Sequence, residues 1–299
     1  MQGISSVGRA SVSKTEGREF ESLIPCQKIV SLGVTSATMK CVSDIIYDPR
    51  HKLELDLYLP DNLTADGCVI YAHGGGFRRG HRAHVETGHF ASRLTEAGFA
   101  MASISYRLRT ELDAFSEEDV AHIQAQMTRS EKVGLNLASN LYGASFIAAM
   151  EDMSNAIEYL WVEGERLGIG SRKLGVLGVS AGGIAGLALA YPPMQWVRRV
   201  SRPDAVVAIS SAVVHPWRLE ADGPPCLMFH GPNDRIIDIG NAQLGAARAQ
   251  QVGAPVTLID TKVKGHVSQV DEVLDGTHPD GTPYMQMVID QFARLREDD

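Results

Sequence analysis

The 299-residue sequence predicts an α/β protein built on a mostly parallel sheet. From residue 42 onward, short β-rich runs alternate with segments of helical periodicity, an order typical of strands joined by crossover helices. Several runs, such as CVIYAHGG at 68–75 and KLGVLGVS at 173–180, are almost continuously apolar. This pattern indicates strands covered on both faces. Ligands of such sheets bind at the carboxyl ends of the strands, where we therefore seek the functional residues.

The first two strand candidates are VSDIIYDP at 42–49 and LELDLYLP at 53–60. In the second run, apolar residues recur at every other position from Leu53 to Leu59, as in a strand with one buried face. The short connection between the runs favours an antiparallel pair. The remaining strands are predicted within the runs at 68–75, 99–106, 173–180, 205–213, 225–234 and 256–263.

Segments with helical spacing separate these runs. The segment at 84–98 ends at Gly98, a residue typical of helix C-termini. Apolar residues from Met153 to Trp161 recur at i, i+3, i+4, i+7 and i+8, which predicts one face of a second helix. Further helices are expected after Ile239 and over about 283–296. Helices should therefore cover both faces of the sheet.

Residues 109–147 separate the fourth strand from its helix by more than an ordinary loop. The SEED sequence at 116–119 resembles a helix-capping box. Val120, Ile123 and Met127 continue at helical spacing, so we expect a helical insertion. Because it follows the carboxyl end of a strand, the insertion is interpreted as a lid or pocket wall; a surface hairpin of helices is the alternative.

Residues 1–38 are polar and show neither helical nor strand periodicity. They also lack the continuous apolar centre of a signal peptide. We expect a disordered or non-native extension, with Met39 as the natural start, followed by one α/β domain over 39–299. A mobile N-terminal arm of the native protein is the alternative.

The composition and the absence of known motifs argue against several classes of binding partner. A net charge of -8 argues against nucleic acid or an anionic membrane surface. The four cysteines include no C-x-x-C pair, which fits a reducing cytoplasm. No P-loop or dinucleotide fingerprint occurs, and His81, His84 and His89 do not form a metalloprotease motif. We expect no cofactor and no metal.

The stretch KLGVLGVSAGGIAG contains the G-x-S-x-G pattern at 178–182, between an apolar run and a helix of small residues. A serine in a sharp strand-to-helix turn presents its hydroxyl, provided that the residues two positions away are small. Ser180 is therefore the predicted nucleophile. Such a hydroxyl needs a general base to be activated.

His266 is the predicted base, because it follows the last strand candidate. His215, His230 and His278 are the competitors. The carboxylate that orients the base is predicted to be Asp234, in the turn after PCLMFHGPND, with Asp238 as the runner-up. The chain order serine, acid, histidine is that of the α/β-hydrolases.

The HGGGF sequence at 73–77 follows the third strand candidate. Acyl transfer places negative charge on a carbonyl oxygen, which preorganised N–H groups stabilise. The predicted donors are the N–H groups of Gly75, Gly76 and Ala181. His73 is expected to hold the loop rather than to act as a base.

The substrate pocket is harder to read from sequence. Phe77, Tyr106, Phe115 and Trp217 are candidate pocket walls, with core packing as the equal alternative. Arg78 and Arg79 are interpreted as solvated surface residues.

With these residues in place, the sequence resembles the α/β-hydrolase superfamily over about residues 43–296. It resembles in particular the HGGG-bearing esterases, both the feruloyl/acetyl-xylan esterase-like group and the hormone-sensitive-lipase-like group. The segments LDLYLP, HGGGF, SISYRL, AAMEDMSNAIEYL, GVSAGG, HGPND and GH occur in the order of that family. The resemblance implies an eight-stranded, mostly parallel sheet with the insertion after the fourth strand.

Two departures from the family pattern matter. Val179 stands where the hormone-sensitive-lipase-like group usually has an acid, which favours the first group. Leu108 and Ala148 are also farther apart than the family pattern requires, so the insertion belongs to this protein or a subgroup.

The expected function is a serine carboxylesterase acting on small-molecule esters of short acyl chains or small aromatic acids, through an acyl-enzyme. An arylformamidase-like amide hydrolase is the first alternative, because the same triad serves both reactions. A non-catalytic ligand-binding protein on the hydrolase fold is the second. The sequence makes no prediction of oligomeric state.

Overall fold

The computed structural model describes residues 39–61 and 65–296. The predicted extension over 1–38 lies outside these residues. Eight strands form one sheet in the order β1-β2-β4-β3-β5-β6-β7-β8. The strands are β1 Met39–Asp48, β2 Leu53–Pro60, β3 Cys68–Ala72, β4 Ala100–Ile104, β5 Leu174–Val179, β6 Ala205–Ile209, β7 Cys226–His230 and β8 Val256–Asp260.

The sheet is mostly parallel, as the sequence predicts. β2 pairs antiparallel with both β1 and β4, whereas β4, β3, β5, β6, β7 and β8 pair in parallel. The carboxyl ends of β3, β5, β7 and β8 therefore meet at one edge of the sheet. The candidate site residues follow these four strands.

Seven helices accompany the sheet in the described part of the chain. They are α1 Val85–Glu96, α2 Glu117–Lys132, α3 Ala144–Glu163, α4 Ala181–Ala190, α5 Ile239–Val252, α6 Ser268–Asp275 and α7 Tyr284–Ala293. Gly98 follows α1 with φ of 88°, the left-handed conformation that closes many helices. None of the helices described here is both long and apolar enough to cross a membrane.

Helices lie on both faces of the sheet because its central strands are buried on both sides. In β3, Cys68, Ile70 and Ala72 belong to one hydrophobic cluster, together with residues of α3 and α4. Val69 and Tyr71 belong to the other, together with residues of α1, α6 and α7. The side chains of a strand alternate between its two faces, so a continuously apolar run supplies both cores.

The predicted helical insertion after the fourth strand is present. Its helix α2 begins after Ser116, whose hydroxyl accepts the N–H of Asp119 at 3.1 Å. A short 3-10 turn at 139–141 follows, and α3 already begins at Ala144. The insertion therefore ends about three residues before the predicted boundary at 147.

Two other expectations need correction. Trp161, at the end of the apolar face predicted for α3, is 38% exposed, and its indole N–H donates to the carbonyl of Arg172 at 2.7 Å. Cys68 and Cys226 are buried free thiols, but Cys41 is disulfide-bonded, which the sequence did not indicate. Since disulfides persist in oxidising compartments, the cytoplasmic location stays a prediction.

A buried ion pair connects the end of β4 to α3. The carboxylate of Asp152, which is fully buried, accepts the backbone N–H of Arg107 at 2.7 Å and its Nε at 2.8 Å. Glu151 accepts Nη2 of the same arginine at 3.1 Å. The pair fixes the point where the chain leaves the sheet to begin the insertion.

We expect Asp152→Ala to lower the free energy of unfolding by about 3 kcal/mol, because it leaves a partly buried guanidinium and the backbone N–H of Arg107 without their fully buried acceptor. Urea denaturation monitored by circular dichroism measures this loss. Arg166→Ala is the control, since Arg166 and Glu163 form an ion pair whose arginine is 70% exposed. Equal effects of the two substitutions would contradict the structural role of Asp152.

Candidate active site

Ser180, Asp234 and His266 meet at the carboxyl edge of the sheet. Nε2 of His266 lies 2.8 Å from Oγ of Ser180, and Nδ1 of His266 lies 2.6 Å from Oδ2 of Asp234. With its Nδ1 proton donated to the carboxylate, the imidazole presents the lone pair of Nε2 to the serine hydroxyl. The three residues that the sequence singled out thus form one hydrogen-bonded row.

Ser180 occupies a strained turn between β5 and α4. Its φ of 52° and ψ of -116° lie outside the regions that residues with a Cβ ordinarily adopt. The neighbouring backbone leaves no room for a side chain two residues before or after Ser180. A methyl at Gly182 would lie 2.1 Å from the carbonyl oxygen of Ala72. A methyl at Gly178 would lie 2.4 Å from the carbonyl carbon of Gly182. The glycines of the G-x-S-x-G motif are therefore required by close backbone contact.

Hydrogen bonds hold the turn against the next strand. The N–H of Ser180 donates to the carbonyl of Ile209 at 2.8 Å. The hydroxyl of Ser211 is 2.9 Å from the carbonyl of Ser180 and 3.0 Å from that of Ile209. Ser211 is a supporting residue that sequence reasoning missed, because nothing in the run AISSAVV marks one serine over another.

Asp234 is buried, and both of its carboxylate oxygens have hydrogen-bond partners. Oδ1 accepts the N–H groups of Ile236 and Ile237 at 2.8 and 3.0 Å, and Oδ2 faces His266. Burial alone would raise the pKa of this carboxyl, but the hydrogen bonds from His230, His266, Ile237 and Ile236 outweigh it and hold the pKa well below its usual range. The carboxylate is thus available to orient the imidazole.

Asp238, the runner-up for the acid, has a different place. It is the N-cap of α5, where Oδ1 accepts the N–H of Gly240 at 2.8 Å. This is the ordinary role of an aspartate at a helix start.

The competing histidines lie elsewhere or face other groups. His278 pairs with Asp280 at 3.0 Å in the turn before α7. His215 is buried beside Phe146 and Trp217, and burial lowers its pKa to about 3. His230 is fully buried, with Nε2 2.9 Å from the carbonyl of Ile237 and 3.4 Å from Oδ2 of Asp234. The sequence considered His230 only as a base, whereas the structure places it beside the acid.

The loop after β3, residues 73–79, lies against Ser180 and is called the glycine loop below. A methyl built on Gly74 would lie 3.4 Å from Cβ of Ser180. Gly75, Gly76 and Phe77 have φ values of 115°, 63° and 58°, a run of three left-handed residues. For Phe77 this conformation costs about 1–3 kcal/mol, which the packing around the residue must offset.

The N–H groups of this loop are available to a ligand. Within the described residues, the N–H groups of Gly75, Gly76 and Ala181 donate no hydrogen bond to the protein. Ala181 is the first residue of α4, so its N–H belongs to the unpaired first turn of a helix. Such donors attract a negatively charged oxygen next to the serine hydroxyl.

His73 holds the loop, as expected. Its Nδ1 donates to the carbonyl of Gly74 at 2.7 Å, and its carbonyl accepts the hydroxyl of Tyr106 at 2.6 Å. The two rings stack with centroids 4.3 Å apart. Burial lowers the pKa of His73 to about 4, so the ring is neutral near pH 7.

The four candidate pocket residues are not brought together. Phe77 is fully buried and Tyr106 nearly so, with ring centroids 6.1 Å apart in an edge-to-face contact. Phe115 lines a separate cavity of about 360 Å³ with Arg107 and Arg199. Trp217 stacks under the guanidinium of Arg129, 4.4 Å from the ring centroid. Phe77 and Tyr106 support the glycine loop from beneath instead of offering surface to a ligand.

A wide cleft of about 1180 Å³ opens beside His266 and Asp234. One wall is the insertion at 136–138, and the other is formed by the loops at 233–238 and 264–266. Arg235 and Lys264 place positive charge at its border, and Ile236 adds an exposed apolar side chain. The cleft gives a polar molecule access to the histidine.

One cluster has the side-chain types of a metal site. Ligand atoms of Asp48, His51 and Asp152 lie within 4.8 Å of one another. However, His51 bonds Asp48 at 2.8 Å and Arg107 bonds Asp152, so the donors already have protein partners. The guanidinium also repels a cation. The cluster does not fit a metal ion.

Comparisons with known proteins bear on the fold and on the type of protein. A family model described as BD-FAE matches residues 55–127. Among curated proteins no match is found. The fold is similar to many solved structures, of which three illustrate the range.

The first is a truncated carbohydrate esterase from gut microbiota, 17% identical, with a TM-score of 0.62 over 87% of this chain and 97% of that one. The second is a thermophilic esterase from Thermogutta terrifontis, 16% identical, with a TM-score of 0.58 over 87% and 92%. The third is a bifunctional GH43-CE protein from Bacteroides eggerthii, 15% identical, with a TM-score of 0.61 over 86% and 35%. These structures confirm the α/β-hydrolase fold that the sequence predicts.

The glycine loop allows a comparison between adjacent glycines. We expect Gly75→Ala to destabilise the protein by about 2 kcal/mol or more, because its methyl would lie 2.0 Å from the carbonyl oxygen of Arg79 at a φ of 115°. Gly74→Ala is the matched control, since its methyl meets its nearest neighbour at 3.4 Å. Thermal unfolding followed by calorimetry measures both. Equal stability of the two variants would contradict the geometry of the loop.

The ionised state of Asp234 predicts a pH dependence of stability. Its pKa is lower in the folded protein than the value of about 3.9 for an unfolded chain. The folded state therefore binds fewer protons, and the stabilisation present above about pH 4 is lost as the pH falls. In Asp234→Asn, the free energy of unfolding should depend less steeply on pH between about 5 and 2.

Urea denaturation at several pH values measures that slope. Gln124→Ala, an uncharged change on the exposed side of α2, serves as the control and should keep the wild-type slope. Identical slopes in wild type and Asp234→Asn would show that Asp234 is not held ionised by the fold.

Proposed function

We propose that the chain is a serine carboxylesterase that hydrolyses esters of short acyl chains or small aromatic acids. The hydrogen-bonded row of Ser180, His266 and Asp234 beside the unpaired N–H groups of the glycine loop is the observation that carries the proposal. The match to the BD-FAE model and the structural likeness to proteins named as esterases support an esterase-type hydrolase. The proposal assigns residues 39–299 to one hydrolase domain.

In the acylation step, Oγ of Ser180 attacks the ester carbonyl while Nε2 of His266 takes the hydroxyl proton. Asp234 holds the imidazole and stabilises its positive charge. The N–H groups of Gly75, Gly76 and Ala181 bind the oxyanion of the tetrahedral intermediate. When the C–O bond breaks, His266 returns the proton to the leaving alcohol, and the acyl group stays on Ser180.

In the deacylation step, water enters from the cleft beside His266. The imidazole takes a proton from the water, whose oxygen attacks the acyl carbon. Collapse of the second tetrahedral intermediate releases the acid and returns the proton to Ser180. No cofactor is needed for either step, and the leaving alcohol is accommodated in the polar cleft.

The experiment is a panel of p-nitrophenyl esters from acetate to octanoate and a small aromatic acid, assayed with wild type and Ser180→Ala. We expect kcat to fall by about 10⁴-fold or more, because the nucleophile is absent. Ser139→Ala, an exposed serine outside the row, is the control. Paraoxon supplies a second readout, since the Thermogutta terrifontis esterase 2 is known in a form phosphorylated by it.

Mass spectrometry should find one phosphoryl adduct on wild type and none on Ser180→Ala. Asp234→Asn should lose activity by about 10⁴-fold, as the wrong imidazole tautomer is favoured, whereas Asp238→Asn should keep nearly all of it. Full turnover by Ser180→Ala would refute the mechanism.

An arylformamidase-like amide hydrolase is the second candidate, because the same row of residues attacks an amide carbonyl. The ratio of kcat/KM for p-nitrophenyl acetate and an N-formyl arylamine separates the two; a ratio in favour of the formamide would replace the esterase proposal. A non-catalytic binding protein would show neither turnover nor an adduct with paraoxon.

A further inference from the structure

We propose that the insertion at 109–147 holds the glycine loop in its oxyanion-binding shape, with Asn140 as the positioning residue. The proposal rests on the proposed esterase function. It gives the insertion a role in the reaction, distinct from that of a lid or a pocket wall.

The glycine loop needs support from outside its own backbone. Gly75, Gly76 and Phe77 all have positive φ and lie outside the helices and strands, and the loop's own backbone bonds run only from the N–H groups of Arg78 and Arg79 to the carbonyl of Gly75. Gly76 is the least restrained of the three, because a methyl built on it would have only Nδ2 of Asn140 within 4 Å, at 3.6 Å. Its peptide group is therefore free to rotate unless something holds its carbonyl.

Six of the loop's seven carbonyl groups, those of residues 73–78, accept hydrogen bonds, and the donors come from two different sources. The carbonyls of residues 73, 74 and 75 accept the Tyr106 hydroxyl, the His73 ring and the N–H groups of Arg78 and Arg79. The next three carbonyls accept donors from the insertion. Asn140 Nδ2 reaches Gly76 O at 2.8 Å, and Arg109 gives its N–H to Phe77 O at 2.8 Å and Nε to Arg78 O at 2.9 Å.

The bond to the Gly76 carbonyl indicates how Asn140 positions the loop. The carbonyl and the next N–H of a trans peptide are coplanar and point in opposite directions. Fixing Gly76 O therefore fixes the Gly76–Phe77 peptide, which directly follows the peptides that carry the N–H groups of Gly75 and Gly76. The carbonyls of residues 73–78 meet protein donors, whereas these two N–H groups donate to no group of the described residues and are left for the substrate.

Asn140 is well anchored for this task. It lies in the 3-10 turn at 139–141, followed by the buried side chains of Leu141 and Tyr142. The Tyr142 hydroxyl donates to Glu131 of α2 at 3.2 Å, and Ser130 of α2 donates to the carbonyl of Val214 at 2.9 Å. The insertion is thus bonded to the loop after β6 through Ser130 and to the glycine loop through Asn140.

The test uses the full-length protein with Asn140→Ala, Asn140→Asp and Asn140→Gln. Asn140→Ala removes the donor and should lower kcat/KM for p-nitrophenyl acetate by about tenfold. Asn140→Asp should cost more, because an isosteric carboxylate faces the Gly76 carbonyl without a proton to donate. Asn140→Gln keeps the amide, and the cavity of about 500 Å³ beside it leaves room for the longer chain, so part of the activity should be retained.

Binding of an alkyl boronic acid, which forms a tetrahedral adduct on a serine, separates positioning from mere folding. Its inhibition constant should rise by the same factor as kcat/KM falls across the three variants, since both depend on the oxyanion N–H groups. The acid limb of the pH–rate profile should not move, because His266 and Asp234 are untouched. Ser139→Ala, the neighbouring exposed serine, should match wild type in every assay.

Wild-type kcat/KM and boronate affinity in Asn140→Ala and Asn140→Asp would overturn the proposal. An equal loss in all three variants, with a displaced pH limb or an equal loss in Ser139→Ala, would overturn it as well, by showing a general disturbance. The proposed function fails differently: wild type itself would then not turn over esters, or Ser180→Ala would.

Discussion

The turn at Ser180 is the constraint on which the rest of the site depends. The backbone of Ser180 lies in a conformation that is strained for a residue with a Cβ. Contacts with neighbouring segments of the same chain hold it there. The methyl-free faces of Gly178 and Gly182 let β5, α4 and the end of β3 approach within backbone contact. The same approach that strains the serine also brings the glycine loop to its side, so hydroxyl and N–H donors are positioned by a single packing arrangement.

A parallel sheet supplies the remaining geometry. Because β5, β6, β7 and β8 are parallel, the turn containing Asp234 and the loop containing His266 extend from the same edge of the sheet as Ser180. Each side chain then needs only local bonds to be oriented. Asp234 is fixed by the N–H groups of its own turn, and the hydroxyl of Ser210 lies 3.1 Å from the carbonyl of His266.

The fold, and the meeting of Ser180, Asp234 and His266 at one edge of the sheet, could be predicted from the sequence because their physical requirements are local. A continuous apolar run needs two covered faces, and a serine between small residues after such a run needs a sharp turn. The order of the strands and the support of the glycine loop were not predictable in this way. Asn140, Ser211 and His230 act through contacts with residues distant in sequence, and no local pattern distinguishes them. The aromatic residues stayed undecided for the same reason, since a Phe or Tyr in core packing and one in a pocket wall have the same sequence until their neighbours are known.

The hydrogen bond from Asn140 to the Gly76 carbonyl also bears on how such proteins diverge. A loop joined to a domain only at its two ends is exchanged or deleted at little cost to the rest. This segment is also joined to the HGGG loop itself, near its end through Asn140 and at its start through Arg109. Its sequence and that of the motif's second half should therefore be inherited and altered together. A chimaera that takes the insertion from one esterase and the HGGG loop from another would separate two halves of one structural unit.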